Sequence, residues 1–335
     1  MAQTEFVQHK ECSESSVSRV LLGPAGQDQA HRPVELFRFE AGKDAPRQAN
    51  AVPIGLMPLE SANATEIWEA PPPTFMGTEG SVHLCGNSEY ALGHMRIPLP
   101  TSAAIARQTR DSYQAIVRRV RDNGFSNLGR TWNFIPNINV GEGDAEVYRQ
   151  FCIGRAEALG GLNFRPADLP AGTGVGTPDS ETLVIAILAT KRPIVNIENP
   201  RQVPAYNYPR QYGPRSPAFA RATIVGTSGA RKCLFVSGTA SVVGHESVHR
   251  GSAVKQTQET INNLVGIVRS ATQVSGTELE GTAGLRVYIR DRADFPAIRA
   301  QVQRGPFGGA NAMFLHADLC RSELLVEIEL VASLA

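Results

Sequence analysis

The chain of 335 residues is 42% hydrophobic, and this length and composition favour two folded domains and exclude a mostly disordered protein. Its 33 basic and 32 acidic residues nearly cancel and form no block of like charge, which argues against nucleic acid or an anionic membrane as a partner. The N-terminus has no apolar signal-peptide core, and the longest apolar run, Leu183 to Ala189, is too short to span a bilayer, so we expect a cytoplasmic protein.

The cysteines give no sign of a disulfide framework or a zinc site. They are odd in number and widely spaced, without a C-x-x-C pair: Cys12, Cys85, Cys152, Cys233 and Cys320. We interpret them as buried thiols.

The first 50 residues contain one strand-like run, Val34 to Phe39, and we treat them as an N-terminal extension. A helix is predicted from about Ser102 to Asn123, because apolar residues recur there at spacings of three and four. A stripe of the same kind returns 148 residues later, and Gln108-Thr109 recurs as Gln256-Thr257. This recurrence predicts an internal duplication.

Each helix is followed by the same succession of elements. Strands are predicted at Thr131 to Ile135 and at Leu285 to Ile289, because both runs are rich in aromatic and branched residues. Second helices follow at Ala145 to Leu159 and at Phe295 to Gln303, with Asp144 and Asp294 as predicted N-caps, and a closing strand ends each unit. Further strands are predicted before the first helices, at Val82 to Cys85, Ala91 to Ile97 and Lys232 to Ser237. The fold class is therefore α+β, with sheets covered by helices on one face.

Five prolines between Ile197 and Pro217 predict a linker. The expected organisation is an extension at 1–50, a first unit at 51–196, a linker at 197–217 and a second unit at 218–335.

Aligning the two closing strands places Glu327 opposite Ile185. Glu327 and Glu329 share one face of their strand, about 7 Å apart. If that face is buried, desolvation and the neighbouring charge raise the pKa of a carboxyl, as a general acid requires. If the sheet has a wet face, both side chains simply meet water. The pattern alone leaves both interpretations open.

Several motifs carry a resemblance to known families. Tyr212 to Pro217, Leu234 to Ser241 and Leu325 to Glu329 resemble the YjgF-like imine deaminases over residues 205–335. The longer run from Asn199 through Tyr208 to Pro217, with Gly238-Thr239-Ala240-Ser241 and Gly244-His245-Glu246, resembles the chorismatases over nearly the whole chain. That resemblance implies two YjgF-like (chorismate mutase-like) domains, a site in the cleft by the C-terminal sheet, no metal and no organic cofactor. Glu327 matches the family's proton donor.

The substrate that the resemblance implies, chorismate, is a dianion, and arginine offers the planar fork that suits its carboxylates. Arg215 and Arg155 are the candidate ligands; the alternative for Arg215 is an ordinary surface arginine, and that for Arg155 is a role in interdomain structure. Arg149 is interpreted as structural, because its spacing from Arg155 is not a same-face spacing. Tyr212 and Tyr208 are further candidates, with packing of the domain boundary as their alternative, and so is Asn133, for which the alternative is a side chain on the wet face of its sheet.

Small residues near the site decide the product in the chorismatases, and Cys320 and Ala240 occupy matching segments. Cysteine there resembles the branch that forms 3-hydroxybenzoate, whereas Ala240 does not settle the branch. The alternatives are 4-hydroxybenzoate and 3,4-dihydroxycyclohexa-1,5-diene carboxylate. The run from His245 to His249 matches the zinc pattern H-E-x-x-H, but its predicted loop position argues against metal. Gly172 to Gly176 lacks the glycine spacing of a phosphate loop.

Two other functions are compatible with the sequence. Imine deamination would suit the C-terminal half alone, and a metabolite-binding module without catalysis would use the same cleft. The sequence does not decide between a monomer and a homotrimer.

Overall fold

The computed structural model describes residues 15–22, 34–42, 49–99, 101, 104–178, 180–226 and 232–335. Cys12 and the helix start predicted at Ser102 lie outside these ranges. None of the helices in the described ranges is long and apolar enough to cross a membrane.

The first half of the chain contains most of the strands and two helices. In chain order the elements are β1 (Ser15–Leu21), β2 (Val34–Ala41), β3 (Ala51–Pro53), β4 (Met57–Pro58), β5 (Asn63–Ala70), β6 (Phe75–Glu79), β7 (Val82–Gly86), β8 (Tyr90–Pro98), α1 (Ile105–Asp122), β9 (Asn127–Pro136), α2 (Val147–Gly161), β10 (Ala171–Thr177) and β11 (Thr182–Thr190).

The second half repeats part of this order. Its elements are β12 (Ile194–Ile197), β13 (Ala222–Gly226), β14 (Lys232–Ala240), β15 (Val242–Val243), β16 (Glu246–Ser247), α3 (Ala253–Ser275), β17 (Leu279–Ile289), α4 (Phe295–Arg304), β18 (Asn311–His316) and β19 (Val326–Leu334).

Three main sheets organise the described chain. The first has the order β1-β5-β2-β3, the second β10-β9-β11-β8-β7-β6 and the third β12-β13-β14-β19-β17-β18-β4. Because β2 pairs with β5, the predicted boundary at residue 50 falls inside the first sheet. The strand predicted at Val34 to Phe39 is confirmed as part of β2, but the extension is not separate from the residues after position 50.

The internal duplication and the α+β class are confirmed by strand pairing. In the first unit, β11 pairs antiparallel with β8 and β9, and β10 lies parallel to β9. In the second unit, β19 pairs antiparallel with β14 and β17, and β18 lies parallel to β17. Helices α1 and α3 are amphipathic. The predicted stripe of α1 is buried against its sheet, and that of α3 is buried except at Val265 and Val268, which are half-buried.

The register corrects the alignment of the closing strands. Ile185 pairs with Asn133 and packs on the helix side of its sheet, whereas Glu327 pairs with Tyr288 and faces the opposite side. By pairing, the counterpart of Glu327 is Val184, which pairs with Phe134. A one-residue slip moves every side chain of a strand to the other face, so the alignment of Glu327 with Ile185 was wrong. It nevertheless drew attention to Glu327.

The start of α2 is also corrected. A 3-10 turn at Gly143–Ala145 comes first, and the helix begins at Val147 without a side-chain cap. The predicted cap Asp144 instead forms ion pairs with Arg210 in the linker and with Arg149. The predicted cap position of Asp294 before α4 is confirmed, although its side chain makes no capping hydrogen bond.

The three sheets pack with their helix-free faces toward one another. Their shared core contains a ring cluster in which Trp68 stacks on Phe37 and contacts Trp132 edge-on, with centroids 5.2 and 5.4 Å away. Phe39 and Phe235 complete this cluster. The helices therefore lie outside, and the inner faces of the sheets meet where the predicted carboxylates point.

Candidate active site

A cavity of about 510 Å³ lies where the inner face of the third sheet meets α2 and the Pro-rich segment. Both halves of the chain contribute to its wall. The lining includes Tyr148 and Arg149 of α2, Tyr208 and Tyr212 of the linker, Arg221, Gly238, Ala240 and Arg250, and Cys320, Arg321, Glu323 and Glu327 near the last strand. This size suits a small organic molecule.

Glu327 lies on β19 and its carboxyl borders the cavity. Its side chain is 4% exposed, so the interpretation of Glu327 and Glu329 as water-facing residues was wrong. Burial, with the charge of Glu329 as the next cause, raises the pKa of Glu327 to about 8, against the opposing influence of Arg130 and Arg221. The group therefore keeps its proton at neutral pH, as an acid catalyst must.

Gly238 makes room for this carboxyl. It sits at an irregularity in β14, where the pairing with β19 shifts between Val236 and Thr239. A Cβ at position 238 would overlap Oε1 of Glu327. Glycine is therefore required by the close approach of the acid.

Two arginines of the wall, Arg221 and Arg321, form no ion pair within 4 Å with the described residues, although Glu198 and Glu323 lie in their electrostatic range. The guanidinium of Arg221 donates from Nη2 to the Val203 carbonyl and to the Tyr208 hydroxyl, while its buried Nε has no partner in the described chain. The guanidinium of Arg321 lies 3.9 Å from the Tyr212 ring centroid and donates to the carbonyl of His245. Both are therefore placed to receive an anion.

The other two arginines of the wall are compensated. Arg149 pairs with Glu146 at 3.2 Å, and Arg250 pairs with Glu323 at 3.6 Å. With a neutral Glu327, the four arginines of the wall outnumber its two other carboxylates, Glu146 and Glu323, by two charges, which is the complement of a dianion.

Five of the predicted site residues meet at this cavity: Glu327, Tyr212, Tyr208, Cys320 and Ala240. Burial raises the pKa of the Cys320 thiol to about 12, which makes it a neutral wall group rather than a thiolate nucleophile. The Tyr212 hydroxyl lies 3.2 Å from Nδ1 of His245.

The structure does not bring the other three predicted residues to the cavity wall. Arg215 is exposed in the linker, whereas Pro217, two residues later, is buried and lines the cavity. Asn133 is buried and bonded to the Tyr113 hydroxyl and the Thr173 carbonyl, so its amide serves the first sheet-helix core. Arg155 is buried behind Phe219, whose ring centroid is 5.8 Å from the guanidinium carbon.

Sequence reasoning missed Arg221 and Arg321. A signal existed for Arg221, the residue just before β13. Side-chain alternation places it on the same side as Thr223 and Val225, which is the inner face of the sheet. A charged residue at an inward position of a buried strand is unusual. Arg149, interpreted as structural, lines the cavity but is held by Glu146 and Asp144.

The run from His245 to His249 forms a short strand and turn, as its predicted loop position requires, and not a helix. His249 lies 3.4 Å from Glu259 of α3, away from His245 and its contact with Tyr212. The helical geometry that the zinc motif needs is therefore not present.

The chain is similar to known proteins over most of its length. Residues 66–189 match the family model described as "Chorismatase FkbO/Hyg5-like, N-terminal". A 3-hydroxybenzoate synthase of Streptomyces hygroscopicus is 36% identical over 273 residues, 79% of this chain and 80% of the relative. A chorismatase of Streptomyces rapamycinicus is also 36% identical, over 81% of this chain and 82% of the relative. A crystal structure of a chorismatase superposes with a TM-score of 0.76 at 30% identity, covering 90% of this chain and 93% of that one.

Proposed function

The chain belongs to the chorismatase family and is an enzyme that acts on chorismate, and from this premise we propose that Glu327 is the acid that starts the reaction. The observation that carries the proposal is a buried carboxyl whose pKa is raised to about 8 and which borders an arginine-lined cavity. At neutral pH such a group holds a proton to donate.

The first step transfers the proton of Glu327 to the methylene carbon of the enolpyruvyl ether. The C=C electron pair forms the new C–H bond, and the ether carbon becomes an oxocarbenium ion. The carboxylate of Glu327 that results lies close to this cation, and because this group is buried, the attraction between the two charges is stronger than in water.

Arg221 and Arg321 hold the two substrate carboxylates in this proposal. Chorismate brings two negative charges, and with a neutral Glu327 the arginines of the cavity wall outnumber its carboxylates by two. Guanidinium groups suit carboxylates, because parallel N–H groups match the two oxygens.

The product depends on what reaches the oxocarbenium carbon. Water addition to this carbon gives a hemiketal, whose collapse breaks the bond between the ether oxygen and the side-chain carbon; this yields pyruvate and the dihydroxycyclohexadiene carboxylate and consumes one water. Attack by the ring hydroxyl instead closes a cyclic ketal; loss of the ring proton at the ether-bearing carbon with cleavage of the neighbouring ring C–O bond aromatises the ring, and the resulting hemiketal collapses to pyruvate and 3-hydroxybenzoate with no water taken up or released. Cys320 beside Glu327 in the wall supports the second branch, with 4-hydroxybenzoate as a further product.

Incubation of the purified protein with chorismate tests this proposal directly. Pyruvate is measured with a coupled assay, and the ring product is identified by HPLC. We expect pyruvate and 3-hydroxybenzoate in equal amounts; a dihydroxycyclohexadiene carboxylate would assign the hydrolytic branch, and absence of pyruvate would reject the activity.

A Glu327→Gln variant tests the role of the acid. Turnover should fall by roughly 10²- to 10⁴-fold, while chorismate binding measured by calorimetry is kept, because glutamine has the same shape without the acidic proton. Glu157→Gln on the exposed face of α2 is the matched control and should behave like the wild type. Full turnover in Glu327→Gln would contradict the assignment.

A further inference from the structure

Glu329, two residues beyond the proposed acid, lies in a very different environment. Its Oε2 accepts hydrogen bonds from Arg130 at 2.6 Å and from the Thr173 hydroxyl at 2.5 Å. Its Oε1 accepts from Nε1 of Trp132 at 3.2 Å and lies 3.1 Å from Nη1 of Arg286. Two cations and two neutral donors therefore compensate the charge of this buried carboxylate.

Glu327 has no hydrogen-bond donor from the described residues. The two carboxyl groups share one face of β19, so a compensated anion lies beside an uncompensated acid. Such an arrangement drives the protonation states of two carboxyl groups apart.

Hydrogen bonds of Thr173 connect the surroundings of the two carboxyl groups. Its hydroxyl donates to Glu329, and the backbone N–H of Gly238 donates to the same hydroxyl oxygen at 3.0 Å. Gly238 is the residue against which the Glu327 carboxyl rests, and Thr173 comes from the other unit of the duplication. A residue of the first unit therefore holds the backbone segment against which the acid of the second unit rests.

The charged and titratable groups that face Glu327 come from several elements. They are Glu329 on β19, Arg130 on β9, Arg221 before β13, Tyr148 on α2, Cys320 ahead of β19 and Tyr288, its register partner on β17. Among these, Glu329 opposes ionisation of Glu327, and Arg130 and Arg221 favour it.

We propose that Glu329, Arg130 and Thr173 are positioning residues that together set the protonation and the placement of Glu327, a role that rests on the proposed function of Glu327. Glu329 supplies the like charge that disfavours a second anion. The positive charge of Arg130 partly offsets this effect of Glu329. Thr173 holds Glu329 and the Gly238 segment in one fixed geometry.

Charge-changing variants test the electrostatic part through the pH dependence of kcat/KM for pyruvate release. Glu329→Gln should move the alkaline limb to lower pH by about one pH unit, and Arg130→Met should move it to higher pH by a similar amount. The double variant Glu329→Gln/Arg130→Met keeps the cluster neutral and should return the limb close to its wild-type position. Glu89→Gln removes a charge from an ion pair with Arg192 outside this cluster and should leave the limb in place.

Thr173→Val tests the geometric part, because it retains every charge and nearly the same shape. We expect kcat to fall roughly tenfold or more with little change in KM or in the alkaline limb, since a small misplacement of a reacting group is costly. Near-UV circular dichroism establishes that each variant is folded. If one single charge variant fails to fold, the shift of the limb in the other decides the electrostatic part, and Thr173→Val decides the geometric part.

The outcomes separate this inference from the proposed function. A wild-type protein that releases no pyruvate would reject the function itself. An active wild type whose folded variants lose rate without opposite shifts of the limb, or a Thr173→Val protein with wild-type kcat, would reject the positioning role.

Discussion

At the scale of single residues, the properties of Glu327 come from what surrounds it rather than from its type. Glu329 has the same side chain on the same strand face, yet four donors surround it, and none from the described residues reaches Glu327. The contrast arises because Glu329 meets Arg130 and Trp132 of the first unit, whereas Glu327 meets Gly238 and the cavity.

The pH dependence of the reaction should reflect this environment. Because the pKa of Glu327 is raised to about 8, the reactive protonated form is present below that pH and is lost above it. We expect kcat/KM to fall about tenfold per pH unit above roughly pH 8. A pH-rate profile with saturating coupling enzyme measures this, and a rate that still rises at pH 9 would contradict a protonated acid.

Glu327 also imposes a stability cost at alkaline pH. Its pKa is higher in the folded state than in the unfolded chain, so the unfolded chain loses the proton first, and folding stability declines between about pH 4.5 and 8. Over that range the wild type should lose about 1.4 kcal/mol per pH unit relative to Glu327→Gln. Urea unfolding at several pH values tests this; parallel curves for the two proteins would show that the group does not titrate with folding.

Arg221 and Arg215 form a natural pair for testing the anion site. Arg221 lines the cavity, and its buried Nε has no hydrogen-bond partner in the part of the chain that the structure describes, whereas Arg215 is exposed outside the cavity. Arg221→Met should raise KM for chorismate by roughly 10- to 100-fold, as expected for loss of a charge-assisted hydrogen bond. Arg215→Met, the control, should change KM little. Steady-state kinetics of both variants distinguishes the two positions. Equal effects on KM would indicate that Arg215 also binds the substrate.

At the scale of secondary-structure elements, the irregularity in β14 creates the site. The pairing shift between Val236 and Thr239 places Gly238 against the acid. In a regular strand, a residue with a side chain at this level would fill the space that the Glu327 carboxyl occupies.

Gly238→Ala should therefore damage catalysis more than folding. Its Cβ would overlap Oε1 of Glu327 and approach Cγ2 of Thr173 to 3.3 Å, so the carboxyl must move. We expect roughly a 100-fold loss of kcat. Gly77→Ala in β6, where a Cβ meets nothing within 4 Å, is the control. Wild-type turnover in Gly238→Ala would show that the close approach is unimportant.

The same elements show what could be predicted from sequence. The stripes of α1 and α3 were readable, because helices packed on a sheet bury one face and expose the other. The alignment of β11 with β19 slipped by one residue, because both strands are buried on both faces and their apolar pattern does not fix the register. Which face carries Glu327 became clear only from its pairing with Tyr288.

At the scale of the whole molecule, buried charges join the three sheets. Glu66 of β5 accepts hydrogen bonds from Arg286 of β17, and Arg286 also contacts Glu329 of β19. Arg130 of β9 completes a set of two acids and two bases. Sequence patterns did not reveal this set, because its members are spread over residues 66 to 329 and come together only when the three sheets pack.

The charge balance of this set predicts how it fails. Glu66→Gln leaves one excess positive charge in the core, and Arg286→Met leaves one excess negative charge, so each should cost about 3 kcal/mol of unfolding free energy. The double variant leaves Arg130 paired with Glu329 alone, a neutral pair. Its cost should therefore be smaller than the sum of the single costs by about 1–3 kcal/mol.

Urea unfolding of the four proteins closes this double-mutant cycle. Arg192→Met, which breaks a peripheral pair with Glu89, serves as a control and should cost less than about 1 kcal/mol. Additive costs in the cycle would mean that Glu66 and Arg286 act separately. The first sheet would then be held to the two units by its other contacts, among them the ring cluster around Trp68, and the placement of Glu329 beside the acid would not depend on the ion pair of Glu66 with Arg286.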